Sequence, residues 1–243
     1  MNREIYENLK EVETRHWWFR GRRKVILDRI RSLSPKPKMR ILEAGCGTGG
    51  NFKLLSTFGS VKAFEIDDDS VAYAQSLELA DVERGYLPEA NPFEDDSFDL
   101  IVAFDVLEHI EPHREAVEDL LKCIGPNGKF LITVPALPAL WSYHDEQHQH
   151  FRRYTKKTLR QTLEENGWEV QKISYYNFFL FPLAYVARKL NPKGSSEKAD
   201  LKVPMGLVNF IFTKILHLES FLIKFMSLPI GLSLVCIAQP KTK

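Results

Sequence analysis

The chain has little of several features that would place it in a specialised class. Its 243 residues include three cysteines, Cys46, Cys123 and Cys236, whose separations match no disulfide framework or metal-binding pattern. We therefore expect a protein of a reducing compartment. Lys and Arg total 33 against 32 for Asp and Glu. This balance argues against a nucleic-acid-binding protein, which usually carries a basic excess.

Long apolar segments are also missing. No uncharged apolar run reaches the roughly 18 residues of a membrane-spanning helix, and the first seven residues lack the apolar core of a signal peptide. These absences predict a cytoplasmic protein, either free or peripheral at the inner membrane face. The length suits one α/β domain with an insertion, as a monomer or a homodimer.

A glycine-rich turn follows the first predicted strand. Met39 to Leu42 is apolar, and Gly45, Gly47, Gly49 and Gly50 lie within the next eight positions. Glycine accepts a positive φ and lets a ligand approach the backbone closely. The residues after the turn favour a helix. A strand, a glycine turn and a helix N-terminus in this order are typical of a nucleotide-type site.

Two acidic residues narrow the choice of ligand. Glu65 ends the second predicted strand 20 residues after Gly45, the spacing at which a carboxylate reaches ribose hydroxyls. Glu43 lies two residues before Gly45. An anionic side chain beside the turn disfavours a diphosphate and favours a cationic ligand. S-adenosylmethionine carries a sulfonium and an ammonium group and has no phosphate.

These motifs resemble those of class I S-adenosylmethionine-dependent methyltransferases, and the chain is similar to their ubiquinone-biosynthesis-like (type 11) branch. Glu43 to Gly49 resembles the first motif, and Glu65 the ribose acid. Further resemblances lie at Asn91 to Val102, before and in the fourth strand, at Asp105 to Ile110, and at Leu121 to Pro135. The specific motifs fall within residues 38–176.

The resemblance implies an α/β fold of the Rossmann-like, doubly wound type. We expect a mostly parallel seven-stranded sheet with an antiparallel last strand, an N-terminal helical lid, and a helical insertion before the last strand. This single methyltransferase domain divides into a lid at 1–34, a core at 35–176 and 231–240, and an apolar insertion at 177–230. Sequence patterns predict helical structure over residues 1–33, further helices at 69–79, 113–123 and 155–166, and strands at 168–175 and 232–238.

The insertion contains a long apolar helix, predicted at 204–226. Its polar residues form one narrow stripe, and such a helix must be mostly covered. The stripe consists of Asn209, Thr213, His217, Ser220 and Lys224. Two interpretations are open: a cap or dimer interface, or a surface that docks to a membrane or a lipid substrate.

The resemblance also implies residues that hold S-adenosylmethionine and its product S-adenosylhomocysteine. Glu43, Gly45, Cys46, Gly47 and Gly49 are expected at the methionine half, Glu65, Ile66 and Asp67 at the ribose, Tyr86 and Leu87 at the adenine, and Phe104 and Asp105 at the methionyl end. The family more often has an acid where Tyr86 stands. Trp18 is expected either to cover the cofactor as part of a lid or to anchor the N-terminal helix.

Several residues could serve the acceptor. His109 follows the fourth strand and is a candidate general base for a hydroxyl acceptor, or else a structural histidine. His144, Asp145 and His148 lie in a segment expected to overhang the cleft, where substrate contact or general-base action is the prediction. No metal is predicted, because this segment matches no strong zinc spacing. Arg152 and Arg153 are expected either to bind an anionic group or to form a solvated charged surface.

The predicted function is methyl transfer from S-adenosylmethionine to an O, N or C atom of a small-molecule, sugar or lipid-linked acceptor. A first alternative is an NAD(P)-dependent oxidoreductase, since Gly45, Gly47 and Gly50 fit the dinucleotide pattern and Tyr185 and Lys189 have the spacing of a dehydrogenase pair. A second alternative is a non-catalytic protein that binds an adenosyl ligand.

Overall fold

A computed structural model of the chain describes residues 12–190 and 203–241. Seven strands form one sheet in the order β3-β2-β1-β4-β5-β7-β6. The strands are β1 (Met39–Ala44), β2 (Gly59–Glu65), β3 (Asp81–Arg84), β4 (Phe98–Phe104), β5 (Ile124–Pro135), β6 (Trp168–Tyr176) and β7 (Ser233–Pro240). Strands β1 to β5 pair in parallel, and β7 runs antiparallel between β5 and β6. The predicted sheet and its antiparallel last strand are confirmed.

Eight α-helices connect or cover these strands in the described residues. They are α1 (Trp17–Arg31), α2 (Phe52–Leu55), α3 (Asp68–Ser76), α4 (His113–Asp119), α5 (Tyr143–Gln147), α6 (Lys156–Glu165), α7 (Phe181–Leu190) and α8 (Gly206–Leu222). The helices predicted at 69–79 and 113–123 extend beyond the C-terminal ends of α3 and α4. The predictions at residues 1–11 and the linker at 191–202 fall outside the described residues.

The core lies on both faces of the sheet. Strand β4 is buried along almost its whole length, as expected for a parallel strand covered by helices on both sides. Phe130 of β5 packs against Trp168 of β6, with ring centroids 4.9 Å apart, and the Trp168 indole donates to the carbonyl of Val117 at 2.7 Å. Burying each large apolar side chain contributes about 1.5–3 kcal/mol, so the sheet provides a rigid base for the loops at its carboxyl edge.

Helices α1 and α8 pack closely against each other. A methyl group added to Gly21 of α1 would lie 2.2 Å from the Leu216 side chain of α8, so glycine is required for this approach. Asn209 of α8 accepts from the backbone N–H of Trp17 at 2.7 Å and donates to the carbonyl of Arg15 at 2.9 Å. The insertion therefore holds the start of the lid helix in place.

The polar stripe of α8 faces the protein, and much of its apolar surface faces outward. Asn209, Thr213 and Ser220 are buried, whereas Leu207 is 72% exposed and Phe225, just after the helix, is 75% exposed. Ser220 donates to the carboxylate of Asp28 at 2.7 Å, which explains why the polar side is covered. The described residues of this one chain do not cover the apolar surface, so its cover by a second subunit or by a membrane or lipid stays a prediction. None of the described helices has the length and hydropathy needed to cross a membrane.

Candidate functional site

A large cavity lies at the carboxyl ends of β1, β2, β4 and β5. Its volume is about 1220 Å³, larger than the roughly 300–1,000 Å³ of most small-molecule sites. Strand order reverses between β1 and β4, and ligands of open α/β sheets bind at such a switch point. The cavity is therefore in the expected place and has room for two ligands side by side.

The glycine turn forms one wall of this cavity. Gly45, Gly47 and Gly49 have φ values of 68°, 53° and 77°, a region that favours glycine. A methyl group added to Gly47 would meet no atom within 4 Å. Gly47 also lines the cavity, so its open side leaves space where a ligand can lie against the backbone.

Glu65 is held at the end of β2 by backbone donors. Its carboxylate accepts from Gly47 N at 2.9 Å, from Ile66 N at 2.9 Å and from Asp67 N at 3.3 Å. These contacts orient the carboxylate beside the glycine turn, where the sequence places the ribose. Asp67 has a different role from the one expected, because its side chain caps α3 by accepting from Ser70 N at 2.8 Å.

Glu43 is buried beneath the turn, with 1% of its surface exposed. Its Oε1 accepts from the Asn51 amide at 2.8 Å, while Oε2 has no hydrogen-bond partner in the described part of the chain. Burial raises the pKa of Glu43 to about 8, although Asn51 and Arg22 oppose the rise. With this pKa the carboxyl is mostly protonated at pH 7, whereas an anionic residue was expected from the sequence.

The N-terminal segment closes over the turn. The Glu13 carboxylate accepts from the Thr48 hydroxyl at 2.9 Å, and Arg22 of α1 forms an ion pair with Asp105, which follows β4. Asp105 itself has a φ of 59°, a conformation that aspartate tolerates better than most residues. These contacts connect the lid to two different edges of the cavity.

Trp18 contributes to the cavity wall beside the lid contacts. Its indole stacks on the Tyr176 ring, with centroids 5.7 Å apart and planes 7° from parallel. Trp17 also lines the cavity, edge-on to Phe212 of α8 at 5.2 Å. The geometry combines the two interpretations of the aromatic pair, because these residues both anchor α1 and line the cavity.

Four histidines line one part of the cavity. The ring of His109 lies 4.7 Å from that of His150, and His144 and His148 have ring centroids 4.2 Å apart. All four line the cavity, as does Glu108. Burial, together with a smaller effect of the nearby His150, lowers the pKa of His109 to about 3. The imidazole is therefore neutral but weakly basic, which fits poorly with unaided general-base action near neutral pH.

Asp145 does not reach the cavity. Its carboxylate is fully buried and accepts from Arg153 Nε at 2.7 Å and lies 2.9 Å from His150 Nδ1. Its pKa lies well below the usual range, because these partners outweigh the effect of burial. This placement argues against Asp145 as a general base that touches the acceptor.

The two arginines after the histidine segment also bond to the protein. Arg152 donates to the carbonyls of Ile110 and Glu111 at 2.9 and 3.0 Å. Arg153 donates to Asp145 and to the carbonyl of Ala136. Both side chains tie loops together rather than forming a solvated charged surface. Binding of an anionic group by Arg153, which lines the cavity, stays a prediction.

The structure brings most of the expected site residues to one cavity. Gly49, Asp67 and Asp145 are the exceptions, because they do not line it. The residues that line it as expected are Trp18, Glu43, Gly45, Cys46, Gly47, Glu65, Ile66, Tyr86, Leu87, Phe104, Asp105, His109 and His144. Sequence reasoning missed Glu13, Arg22 and Asn51. Only Arg22 had a sequence signal, as part of the aromatic and basic run of residues 16–23.

These residues fit S-adenosylmethionine. The open face of Gly47 admits a ligand, Glu65 offers acceptors for hydroxyl groups, and the unpartnered Glu43 oxygen suits a nearby cation. The Tyr185 and Lys189 pair belongs to α7, and Tyr185 is not one of the residues that line the cavity. The dehydrogenase interpretation therefore has no support from the site.

Comparison with known proteins agrees with this geometry. A family model described as "Methyltransferase domain" matches residues 18–173. A probable S-adenosylmethionine-dependent methyltransferase of Mycolicibacterium smegmatis is 29% identical over 160 residues, covering 64% of this chain and 61% of that protein. The 2-methyl-6-phytyl-1,4-hydroquinone methyltransferase of Synechocystis is 25% identical, covering 53% of this chain and 40% of that protein. The matches thus span less than two thirds of these relatives.

Solved structures share the fold at lower identity. A putative methyltransferase from Bacillus halodurans has a TM-score of 0.59 at 17% identity, with 89% of this chain and 99% of that one covered. A putative sarcosine dimethylglycine methyltransferase from Galdieria sulphuraria has a TM-score of 0.60 at 16% identity, with 90% of this chain and 85% of that one covered.

Proposed function

Since the chain belongs to the class I S-adenosylmethionine-dependent methyltransferases, we propose that it methylates an acceptor with a polar head and an apolar tail. One observation carries this proposal. The cavity is lined by the glycine turn, by the four histidines, and by a group of apolar side chains that consists of Leu180, Leu183, Ala184 and Phe212. A cofactor on the glycine turn would leave the histidines and the apolar side chains for the acceptor.

The protein contributes alignment and the exclusion of water. The cofactor supplies a methyl group that is already activated on a positively charged sulfur. Glu43 lies where it can balance that charge, and Glu65 is oriented toward the ribose position. The contacts of Glu13 and Arg22 hold the lid against the glycine turn and the loop after β4. Holding two reactants in line is a large part of the rate gain available to such a reaction.

The apolar side chains of the cavity favour a lipid-linked acceptor. Trp17 and Phe212 make one wall, and Leu183 of α7 is 59% exposed at the rim. The Synechocystis relative is named for a phytylated hydroquinone, a molecule with this division into ring and tail. The histidines would then face the polar head, which would place His109 and His144 near the acceptor atom.

The outward surface of α8 adds further apolar side chains. Its exposed residues include Leu207, Phe210 and Phe221. Lys24, Lys214 and Arg20 are close enough to His217 to lower its pKa, although burial has the larger effect. An apolar strip beside basic side chains suits the surface of an anionic bilayer. Peripheral docking there would bring the cavity to lipid acceptors.

Binding of the cofactor is tested by calorimetry with S-adenosylhomocysteine and, separately, with NAD. We expect saturable binding of the first and none of the second. Methyl transfer is then measured with labelled S-adenosylmethionine and two acceptor pools, a membrane lipid extract and the water-soluble metabolites. Label in the lipid extract supports the proposal, whereas label only in the soluble pool would contradict the lipid-linked acceptor.

Docking is tested by flotation with vesicles of phosphatidylglycerol and phosphatidylcholine. The wild type should float with the anionic vesicles, and the triple variant Leu207→Ser, Phe210→Ser, Phe221→Ser should not. Leu79→Ser, at an exposed apolar residue elsewhere, is the matched control and should float normally. If the wild type stays unbound and the triple variant instead dissociates a dimer, the surface of α8 is a protein interface.

A further inference from the structure

Three side chains that line the cavity have the arrangement of metal ligands. Glu108, His109 and His150 each place one ligand atom so that all three atoms lie within 4.8 Å of one another. Two imidazoles and one carboxylate are a ligand set of catalytic zinc sites. Glu108 and His109 come from the short 3₁₀ turn at Leu107–His109, and His150 comes from the loop after α5.

A second layer of contacts orients the two histidines. The Asp145 carboxylate lies 2.9 Å from His150 Nδ1, which leaves Nε2 of that ring directed away from the carboxylate. The His109 ring hydrogen-bonds to the backbone of His148. Metal-binding histidines usually bond to a carboxylate or a carbonyl through their second nitrogen. Each of the two rings therefore has a carboxylate or backbone partner of this kind.

Glu108 supplies an independent observation. Its side chain lines the cavity, yet the residue is only 1% exposed, and Oε2 has no hydrogen-bond partner among the described residues. A buried carboxylate oxygen without a partner is unfavourable. A cation between the three side chains would satisfy it.

The backbone around the three residues is fixed by hydrogen bonds. Phe151 N donates to the carbonyl of Glu108 at 2.8 Å, next to His150 in the sequence. Arg152 bonds to the carbonyl of Ile110, and the Tyr154 hydroxyl lies 2.8 Å from His113 Nδ1. The turn and the loop are thus held together without a metal, as a preorganised site requires.

We propose that Glu108, His109 and His150 bind a divalent transition-metal ion, with zinc the best fit. Imidazole ligands favour zinc and its neighbours over magnesium and calcium, which prefer oxygen ligands. Three protein ligands leave at least one position open toward the cavity. Of these ligands only His150 falls in the segment for which the sequence spacing predicted no metal. Glu108 and His109 come from a distant part of the chain, so spacing alone could not reveal the site.

The open position would receive an oxygen of the acceptor. An acceptor hydroxyl bound to the ion would lose its proton more readily, and that proton would pass to water. This role depends on the proposed methyl transfer, whereas binding of the ion does not.

The test uses full-length protein without a histidine tag. Metal content is measured by mass spectrometry after purification without chelators, and Zn²⁺ and Mg²⁺ are titrated into the chelator-treated protein by calorimetry. We expect one Zn²⁺ site and no comparable Mg²⁺ site. His150→Ala and Glu108→Gln should each abolish stoichiometric zinc, while the control His217→Ala, at a histidine of α8 outside the cluster, should retain it.

A positioning role for Asp145 is tested in the same way. Asp145→Asn should weaken zinc affinity by about 10–100-fold, and cobalt substitution should show an altered visible spectrum. Circular dichroism and thermal melts identify any variant that fails to fold, and Glu108→Gln, which changes one buried oxygen, remains informative if His150→Ala unfolds. Absence of zinc binding in the folded wild type, or equal binding in folded Glu108→Gln and His150→Ala, would overturn the site. Cofactor binding is measured separately, so the two proposals can fail independently.

Discussion

Replacing Glu43 by glutamine tests the charge beneath the glycine turn. The substitution keeps the acceptor for the Asn51 amide at 2.8 Å but removes the ionisable group. Burial raises the pKa of Glu43 from 4.5 to about 8, so the folded chain binds this proton more tightly than the unfolded chain. The contribution of this proton to the free energy of unfolding is fully present below pH 4.5 and is lost as the pH rises toward 8.

The size of the effect follows from that pKa. At about 1.4 kcal/mol per pH unit, the free energy of unfolding falls by roughly 5 kcal/mol between pH 4.5 and pH 8 in the absence of ligand. Glu43→Gln should therefore be more stable than the wild type at pH 8, with a much smaller difference near pH 5. Urea unfolding at the two pH values measures this, with Glu83→Gln, at an exposed acid of β3, as the control.

The affinity for the cofactor should rise with pH, whereas the free energy of unfolding falls. A cationic ligand favours the ionised carboxylate, so binding below pH 8 releases a proton from Glu43. Affinity for S-adenosylmethionine should rise between pH 6 and 7.5 by up to about 30-fold, at tenfold per pH unit. Glu13, whose pKa is raised mainly by burial, also faces this region and acts in the same direction.

Calorimetry in buffers with different ionisation enthalpies counts the released protons. The wild type should release close to one proton at pH 7, and Glu43→Gln should release fewer and show a flatter pH profile. An affinity that is independent of pH in the wild type, or an unchanged profile in the variant, would refute the coupling between Glu43 and the cationic ligand.

Three further substitutions test separate parts of the structure. Trp18→Ala should weaken binding of S-adenosylhomocysteine in calorimetry, because it removes the ring stacked on Tyr176 from the cavity wall; unchanged affinity would remove Trp18 from the site. Gly21→Ala should lower the unfolding free energy by about 1–3 kcal/mol by overpacking against Leu216. Adding Leu216→Ala should recover part of that loss in denaturation curves, and strictly additive effects would count against the contact. Asp67→Ala should lower the unfolding free energy by about 0.5–2 kcal/mol through loss of a helix cap, while cofactor affinity stays unchanged. A fall in affinity would show that Asp67 contacts the ligand.

The cofactor half of the site was predictable from local sequence. The positive φ values of Gly45 and Gly47 and the position of Glu65 at a strand end each depend on only a few neighbouring residues. The protonation of Glu43 was not predictable, because it depends on how completely the surrounding chain removes water.

The acceptor half depends on contacts between distant segments. His109 and His150 meet only because the loop after α5 folds back onto the turn after β4, and no spacing rule in the sequence connects them. The orientation of α8 was missed for a related reason. A stripe of polar residues marks one side of a helix, but only the partner α1, through Asp28 and the backbone of Trp17, determines that this side is buried.

The position of β7 sets the order in which the molecule can be completed during synthesis. β6 pairs only with β7 among the described strands, and β7 is made after both α8 and the strands it separates. A nascent chain that ends before residue 206 lacks the helix that secures α1, although α1 has already been made. The cover of the cavity is thus made before the helix that holds it, so a chain shortened there would keep the glycine turn and lose the contacts of α8 with α1.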